Sequence, residues 1–281
     1  MDTAAIAETF DTWVDDALIW VSDHGAFLFD WVRAVFEGFY DGVLGSLEVA
    51  PWYVVAIIFG LLAWRLVNAS FGILTAVGLA ACWMMGLWSE SMSTFALVFS
   101  ATFLSLLFAL PIGVLAGLLP RLDHFVEPVL DLIQTMPPYI YLLPAIALLG
   151  FGPATALAAT LIVAMPPAIR LTSLGIRMTP HQFVELGQAT GMTNAQMFFK
   201  IRLPFALPSI MTGINQSLMM AFGMVVIAGI VGSGGLGETI YKAIRTLDIG
   251  KSIDAAIAIV ILTIVIDRLT QTLIHSGKAA S

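Results

Sequence analysis

From Pro51 onward the chain alternates between long apolar stretches and short polar breaks. Stretches near 20 residues have the length a helix needs to cross about 30 Å of hydrocarbon. Runs such as Leu218 to Val231 or Ala255 to Ile266 lack the period-two alternation of a transmembrane barrel strand. Seven spans are predicted, at roughly 51–68, 71–88, 94–119, 128–150, 153–172, 206–232 and 252–272. Only Asn68-Ala69-Ser70 separates the first two, which predicts a tight helical hairpin. The fold class is all-α, a polytopic helical membrane protein.

Residues 1–50 follow another rule. Trp13, Leu18, Val21, Leu28, Trp31, Val32, Val35, Phe36, Phe39 and Val43 recur at helical spacings with acids between them. That pattern predicts an amphipathic N-terminal extension lying along a membrane face or packed on the bundle. The membrane-spanning body then occupies 51–275, with one long polar connection at 173–205. The N-terminus has no basic start followed by an apolar core, so insertion is expected to be directed by the first true span.

Composition strengthens the membrane reading. Hydrophobic residues make up 59% of the chain and charged residues 11%, against about 25% charged in a typical soluble domain. The formal net charge of −7 argues against a nucleic-acid partner, and 10 of the 19 acids lie in the first 50 residues. The single cysteine, Cys82, sits in an apolar run and forms no internal disulfide. With the N-terminus outside, the inner side receives Arg65, Arg121, Arg170, Arg177, Lys200, Arg202, Arg268 and Lys278. The outer side receives Arg33, Lys242, Arg245 and Lys251. This asymmetry predicts N-terminus out and C-terminus in.

Several chemistries find no support in the residues. No Gly-x-x-x-x-Gly-Lys-Ser/Thr loop cradles nucleotide phosphates. The histidines are scattered, and no metal-ligand spacing occurs. Gly232-Ser233-Gly234-Gly235-Leu236-Gly237 fits a dinucleotide fingerprint, but the apolar run before it is too long for the strand that motif needs. Gly234, Gly235 and Gly237 read instead as a tight turn at the outer end of the sixth span, suited to a hinge or gate. Gln134-Thr135-Met136-Pro137-Pro138 and Met165-Pro166-Pro167 place prolines inside spans, where they line a pore or kink a helix against a neighbour. Gln134, Asn215 and Gln216 at membrane depth line a pathway or hydrogen-bond across helices. Asp131, Asp267 and Arg268 match an interface rather than the bilayer centre, which weakens an ion-coupled secondary transporter.

The connection 173–205 carries a recognisable pattern. Glu185-Leu186-Gly187-Gln188-Ala189-Thr190-Gly191, nine residues, then Ile201-Arg202-Leu203-Pro204 resembles the signature of permeases in binding-protein-dependent ABC importers. Glu185, Gly191, Ile201, Leu203 and Pro204 match it in identity and spacing. Leu186 and Gly187 stand where the signature has two alanines. The stretch Pro180 to Lys200 reads as helical, ending before Leu203-Pro204.

Further segments resemble the glycine betaine/proline betaine permeases, among them Met136 to Pro144, Pro166 to Thr172, Gly213 to Met219 and Ile266 to Gln271. The resemblance implies the type I ABC importer permease fold. It implies a multi-pass subunit of a bacterial inner membrane, without enzymatic activity or cofactor of its own, ATP and magnesium being bound by partner subunits. The implied partners are a second permease copy in a homodimer, two ABC ATPase subunits and an extracytoplasmic substrate-binding protein. The implied cargo is a quaternary or methylated amine such as glycine betaine, choline, carnitine or trimethylamine N-oxide. Glu185, Gly191, Ile201, Leu203 and Pro204 then couple to the ATPase. Gln134, Pro137, Pro138, Tyr139, Tyr141, Asn215, Gln216, Gly234, Gly235 and Gly237 are the pathway and gate candidates. Methylammonium cargo suits cation–π contacts, for which Tyr139 and Tyr141 are available.

Overall fold

A computed structural model describes residues 3–276 of the chain, and Asp2 and Lys278 of the charge reading lie outside the described residues. Twelve α-helices, with short 3-10 and π turns between some of them, make up the described residues, and no strand occurs among these. They are α1 (Thr3–Glu48), α2 (Trp52–Leu66), α3 (Ala69–Met84), α4 (Trp88–Leu118), α5 (Pro120–Thr135), α6 (Leu142–Leu149), α7 (Pro153–Arg177), α8 (His181–Ala189), α9 (Asn194–Met197), α10 (Leu203–Ala228), α11 (Gly235–Thr246) and α12 (Ile249–Ser276).

The core is a sandwich in which α7 lies between α4 and α10. Small residues permit that closeness. A Cβ on Gly113 of α4 would stand 2.7 Å from Thr172 Cβ, and one on Gly213 of α10 would stand 3.1 Å from Ala168 Cα. Helices without a hydrophobic drive between them associate through such backbone approach. Pro166 and Pro167 sit buried in this sandwich, and α7 runs through them unbroken. The hairpin α2–α3 forms as its short connection predicts, with Asn68 capping α3 by accepting the Phe71 N–H at 2.8 Å. It packs mainly on α12.

The span count comes out lower than the hydropathic pattern suggests. Four helices are individually long and apolar enough to cross a membrane, or up to six if each bent pair counts as one span. The expected span at 128–150 is not one helix, because α5 and the segment Pro138–Leu149 meet at 105°. Met136, before a proline, takes an extended conformation with φ −77° and ψ 139°, since the proline ring disfavours the helical region for its predecessor. Two consecutive prolines then remove two donors, and the helix stops.

The N-terminal segment is one continuous helix of 46 residues, meeting α2 at 97°. Its C-terminal half crosses the ends of α4, α6 and α7 that lie farthest from residues 178–202. There the buried Tyr40 and Ser93 hydroxyls are 2.7 Å apart, and Ser89 donates to Glu48. Along the stretch before Arg33, Trp13, Trp20, Phe27 and Trp31 are exposed.

Candidate functional site

The signature segment folds as an elbow at one end of the bundle. Gly191 ends the first arm with φ +73°, a left-handed conformation that glycine adopts without steric cost. Thr193 and Gln196 then form a reciprocal capping box that starts α9. The chain does not stop before Leu203-Pro204. A π turn over Phe198–Arg202 joins α9 to α10, so that Asn194–Val231 is one continuous helical run. Leu203 N–H donates to the Phe198 carbonyl five residues back, and this wider turn accommodates Pro204, which has no N–H to give.

Two contacts fasten α8 to that run. Gly187 is buried, and a Cβ there would stand 2.5 Å from Met197 Cε and 3.1 Å from Ile201 Cδ1. The departure from the signature at Gly187 is therefore matched by Met197, whose flexible thioether fills the space of the missing methyl. The Phe183 and Phe205 rings lie 4.9 Å apart. Glu185 and Leu186 point away from the elbow with relative exposures of 65% and 59%, alongside Phe199 at 65%. His181 Nδ1 lies 3.0 Å from Glu185 Oε1. The elbow thus presents a carboxylate among apolar side chains on a rigid support.

A second group of candidates gathers at the bend after α5. Pro138 opens a 3-10 turn, Pro138–Tyr141, that lies against both α7 and α10. Pro137 cannot donate to the carbonyl of Ile133, four residues back. Tyr141 Oη donates to that carbonyl at 2.8 Å. Tyr141 therefore repairs the break that Pro137 makes, whereas Tyr139 and Gln134 stay exposed. Two ion pairs hold α5 antiparallel to α7. Arg170 meets Asp131 at 2.6 Å, and Arg177 meets Asp123, which also accepts from Ser173 at 2.7 Å. On α10, Gln216 is exposed, while Asn215 Oδ1 is buried with no hydrogen-bond partner among the described residues.

The third group lies at the far end of α10. Gly232, Gly234 and Gly235 have φ of +71°, +78° and +76°. The turn is seated hard against its neighbours. Backbone meets backbone at Gly229 and Gly237, and a Cβ on Gly237 would stand 2.6 Å from the Val225 carbonyl oxygen. Thr94 of α4 accepts the Leu236 N–H at 2.8 Å. Glu238 accepts from the Gly234 amide at 2.8 Å and pairs with Lys242 at 2.5 Å. The Lys242 ammonium, helped by the Gly234 amide, holds the Glu238 carboxyl below its ordinary value although partial burial opposes this. The turn follows a membrane-length helix rather than a strand, so the dinucleotide fingerprint is without its structural context.

Comparison with known proteins settles the family. The family described as binding-protein-dependent transport system inner membrane component matches residues 109–275. This chain belongs to that family. Among its relatives is the glycine betaine/proline betaine transport system permease protein ProW of Escherichia coli K12, 39% identical over 96% of this chain and 76% of that one. Another is the glycine betaine transport system permease protein OpuAB of Bacillus subtilis 168, 40% identical over 87% of this chain and 90% of that one. A solved chain of the inward-facing MetNI methionine ABC transporter shares the fold, with a TM-score of 0.61, 23% identity, and coverage of 68% of this chain and 95% of that chain.

The chain is thus a multi-pass inner-membrane permease component of a binding-protein-dependent transport system. Within this permease component, α10 links all three groups. The elbow enters its first turn, Asn215 and Gln216 lie on its middle, and the glycine turn leaves its end. The matched region begins inside α4, so α1 and the α2–α3 hairpin lie outside it. Sequence reasoning did not find Thr94, Ser93, Phe183, Phe205 or Met197. Each acts through a partner distant in the chain or across a turn, and no short spacing marks it.

Proposed function

We propose that this permease component forms, with a second copy of itself, the translocation pathway of an ATP-driven importer for glycine betaine or a related methylated amine. The observation that carries the reading is mechanical. Within the signature elbow, α8 packs through Gly187 on Met197 and Ile201 of the helical run Asn194–Val231, and that run contains α10 and reaches the glycine turn without a break. A separate ATPase gripping Glu185, Leu186 and Phe199 moves α10 as one body, and the turn at Gly234, Gly235 and Gly237 moves with it. The elbow end is cytoplasmic in this reading, with α1 and the glycine turn outside, in accord with the distribution of Lys and Arg. A binding protein delivers cargo near Gly232 to Gly250. ATP and magnesium stay with the ATPase. The amine class follows the names of the two betaine permeases. Asn215, Gln216, Gln134 and Tyr139 line the route, and the Tyr139 ring offers cation–π attraction to a methylammonium group.

The test is uptake of labelled glycine betaine into proteoliposomes holding the permease, its co-purified ATPase and the binding protein. Uptake requires ATP, and Glu185→Ala with Gly191→Val abolishes it while the assembled permease remains in the membrane. Transport that persists without ATP, or in that double variant, defeats the proposal. A second reading, an ion-coupled secondary transporter, would need free carboxylates at membrane depth, whereas Asp131 and Asp123 are both ion-paired near the elbow end.

A further inference from the structure

The α2–α3 hairpin packs on α12, and α2 stands off from α4. Between them lies an apolar groove of about 340 Å³. That is more than twice the roughly 150 Å³ of a dry apolar cavity able to hold benzene. One wall is a ladder of Phe95, Phe99 and Phe103 on α4, with successive rings 6.3 Å apart. Ile214 and Leu218 of α10 and Leu269 of α12 complete it. Phe59 of α2 closes one end, its ring 5.2 Å from that of Phe95.

The length of the groove is informative. It follows α4 from Phe95 to Leu106, which at about 1.5 Å per residue is some 16 Å. That is about half of a 30 Å hydrocarbon layer, the depth of a single leaflet. The other end, at Leu66 and Leu269, is charged. A shallower groove adjoins it at Leu62 and leads to Trp64 and Arg65. Arg65 is exposed and forms no ion pair among the described residues. Arg268 of α12 lies two residues from both Ile266 and Thr270, which line the groove, and so faces away from it.

We propose that this groove is a binding site for an anionic phospholipid of the leaflet on the elbow side, one acyl chain lying along the phenylalanine ladder and the phosphate meeting Arg65. Tryptophan and arginine at the mouth suit the head-group level, where Trp64 sits between apolar and polar surroundings. Arg65 supplies the charge complementarity that selects an anionic head group. A second permease copy fits elsewhere. Gln216 lies two residues from both Ile214 and Leu218, hence about 200° around α10 at 3.6 residues per turn. The polar, exposed face of α10 is therefore opposite the groove.

The test is native mass spectrometry of the assembled transporter from nanodiscs of mixed phosphatidylglycerol and phosphatidylethanolamine. The wild type retains one phosphatidylglycerol per permease chain after delipidation. Leu62→Trp fills the groove from its exposed rim and loses that lipid, whereas Ile73→Trp, on the exposed face of α3, keeps it. Arg65→Gln keeps a lipid but lowers the preference for the anionic head group about tenfold, ~1.4 kcal/mol. No retained lipid in the wild type, equal retention in Leu62→Trp, or an undiminished preference in Arg65→Gln overturns the proposal. So does an inter-copy disulfide formed by Phe99→Cys, which would place the second copy in the groove.

Discussion

At the scale of single residues, two polar contacts make sharp predictions. Tyr141 supplies the hydrogen bond that Pro137 withholds from Ile133. Its loss leaves a carbonyl without a partner, at a cost of about 1–3 kcal/mol. Tyr141→Phe lowers the thermal midpoint of the detergent-solubilised permease, while Tyr139→Phe, on an exposed ring, leaves it unchanged. Glu238 gives a pH effect whose sign is fixed. Its folded-state pKa is depressed, chiefly by Lys242, so its stabilisation is full above the unfolded carboxylate pKa. It is lost as pH falls through the folded-state value. Hydrogen exchange at the Gly234 amide therefore accelerates beyond the intrinsic trend as pH falls below the ordinary carboxylate range, and Glu238→Gln removes that pH dependence.

At the scale of elements, the elbow is a joint whose stiffness matters. The ring pair Phe183 and Phe205 joins α8 to the first turn of α10, and such pairs contribute about 0.5–1.5 kcal/mol beyond burial. Phe205→Ala loosens the joint, so ATP hydrolysis by the assembled complex continues while amine uptake per ATP falls severalfold. A parallel fall in both rates would mean that the ring pair serves assembly instead. The long α1 has three distinct faces. Tyr40 reaches Ser93 on the bundle, Phe39 stacks 5.5 Å from the deeper Phe103, and Asp41 is exposed. Trp13, Trp20 and Trp31, spaced by 7 and 11 residues, share one exposed stripe. Indole at that position belongs at a lipid–water interface. Brominated lipids quench tryptophan emission of the wild type more strongly than that of the Trp13→Ser, Trp20→Ser, Trp31→Ser variant, scaled to the remaining indoles.

At the scale of the whole molecule, the orientation is open to direct measurement. In a Cys82→Ala background, Glu8→Cys reacts with a membrane-impermeant maleimide added outside intact cells. Gln196→Cys, on the elbow, reacts only after permeabilisation. The reverse pattern overturns the assignment of α1 to the outer side.

Much of this architecture was legible in the chain itself. Apolar length and scarcity of charge determine a helical membrane protein, and the spacing of Glu185, Gly191, Ile201, Leu203 and Pro204 marks the elbow. The break after Met136 was legible only as a kink. Its depth depends on what surrounds the prolines: Pro166 and Pro167 stay helical because α4 and α10 enclose them, whereas Pro137 and Pro138 sit on a peripheral element. The elbow's continuity with α10 was missed because a π turn absorbs Pro204, which local propensity reads as a stop. Gly187 departs from the signature in sequence, and only the fold places Met197 beside it. Sequence determines helix, span and signature because these depend on residues a few positions apart. Tertiary structure alone decides how α1, the glycine turn and the groove are placed. Those depend on pairs such as Tyr40 with Ser93, 53 residues apart, and Thr94 with Leu236, 142 apart, which no local periodicity encodes.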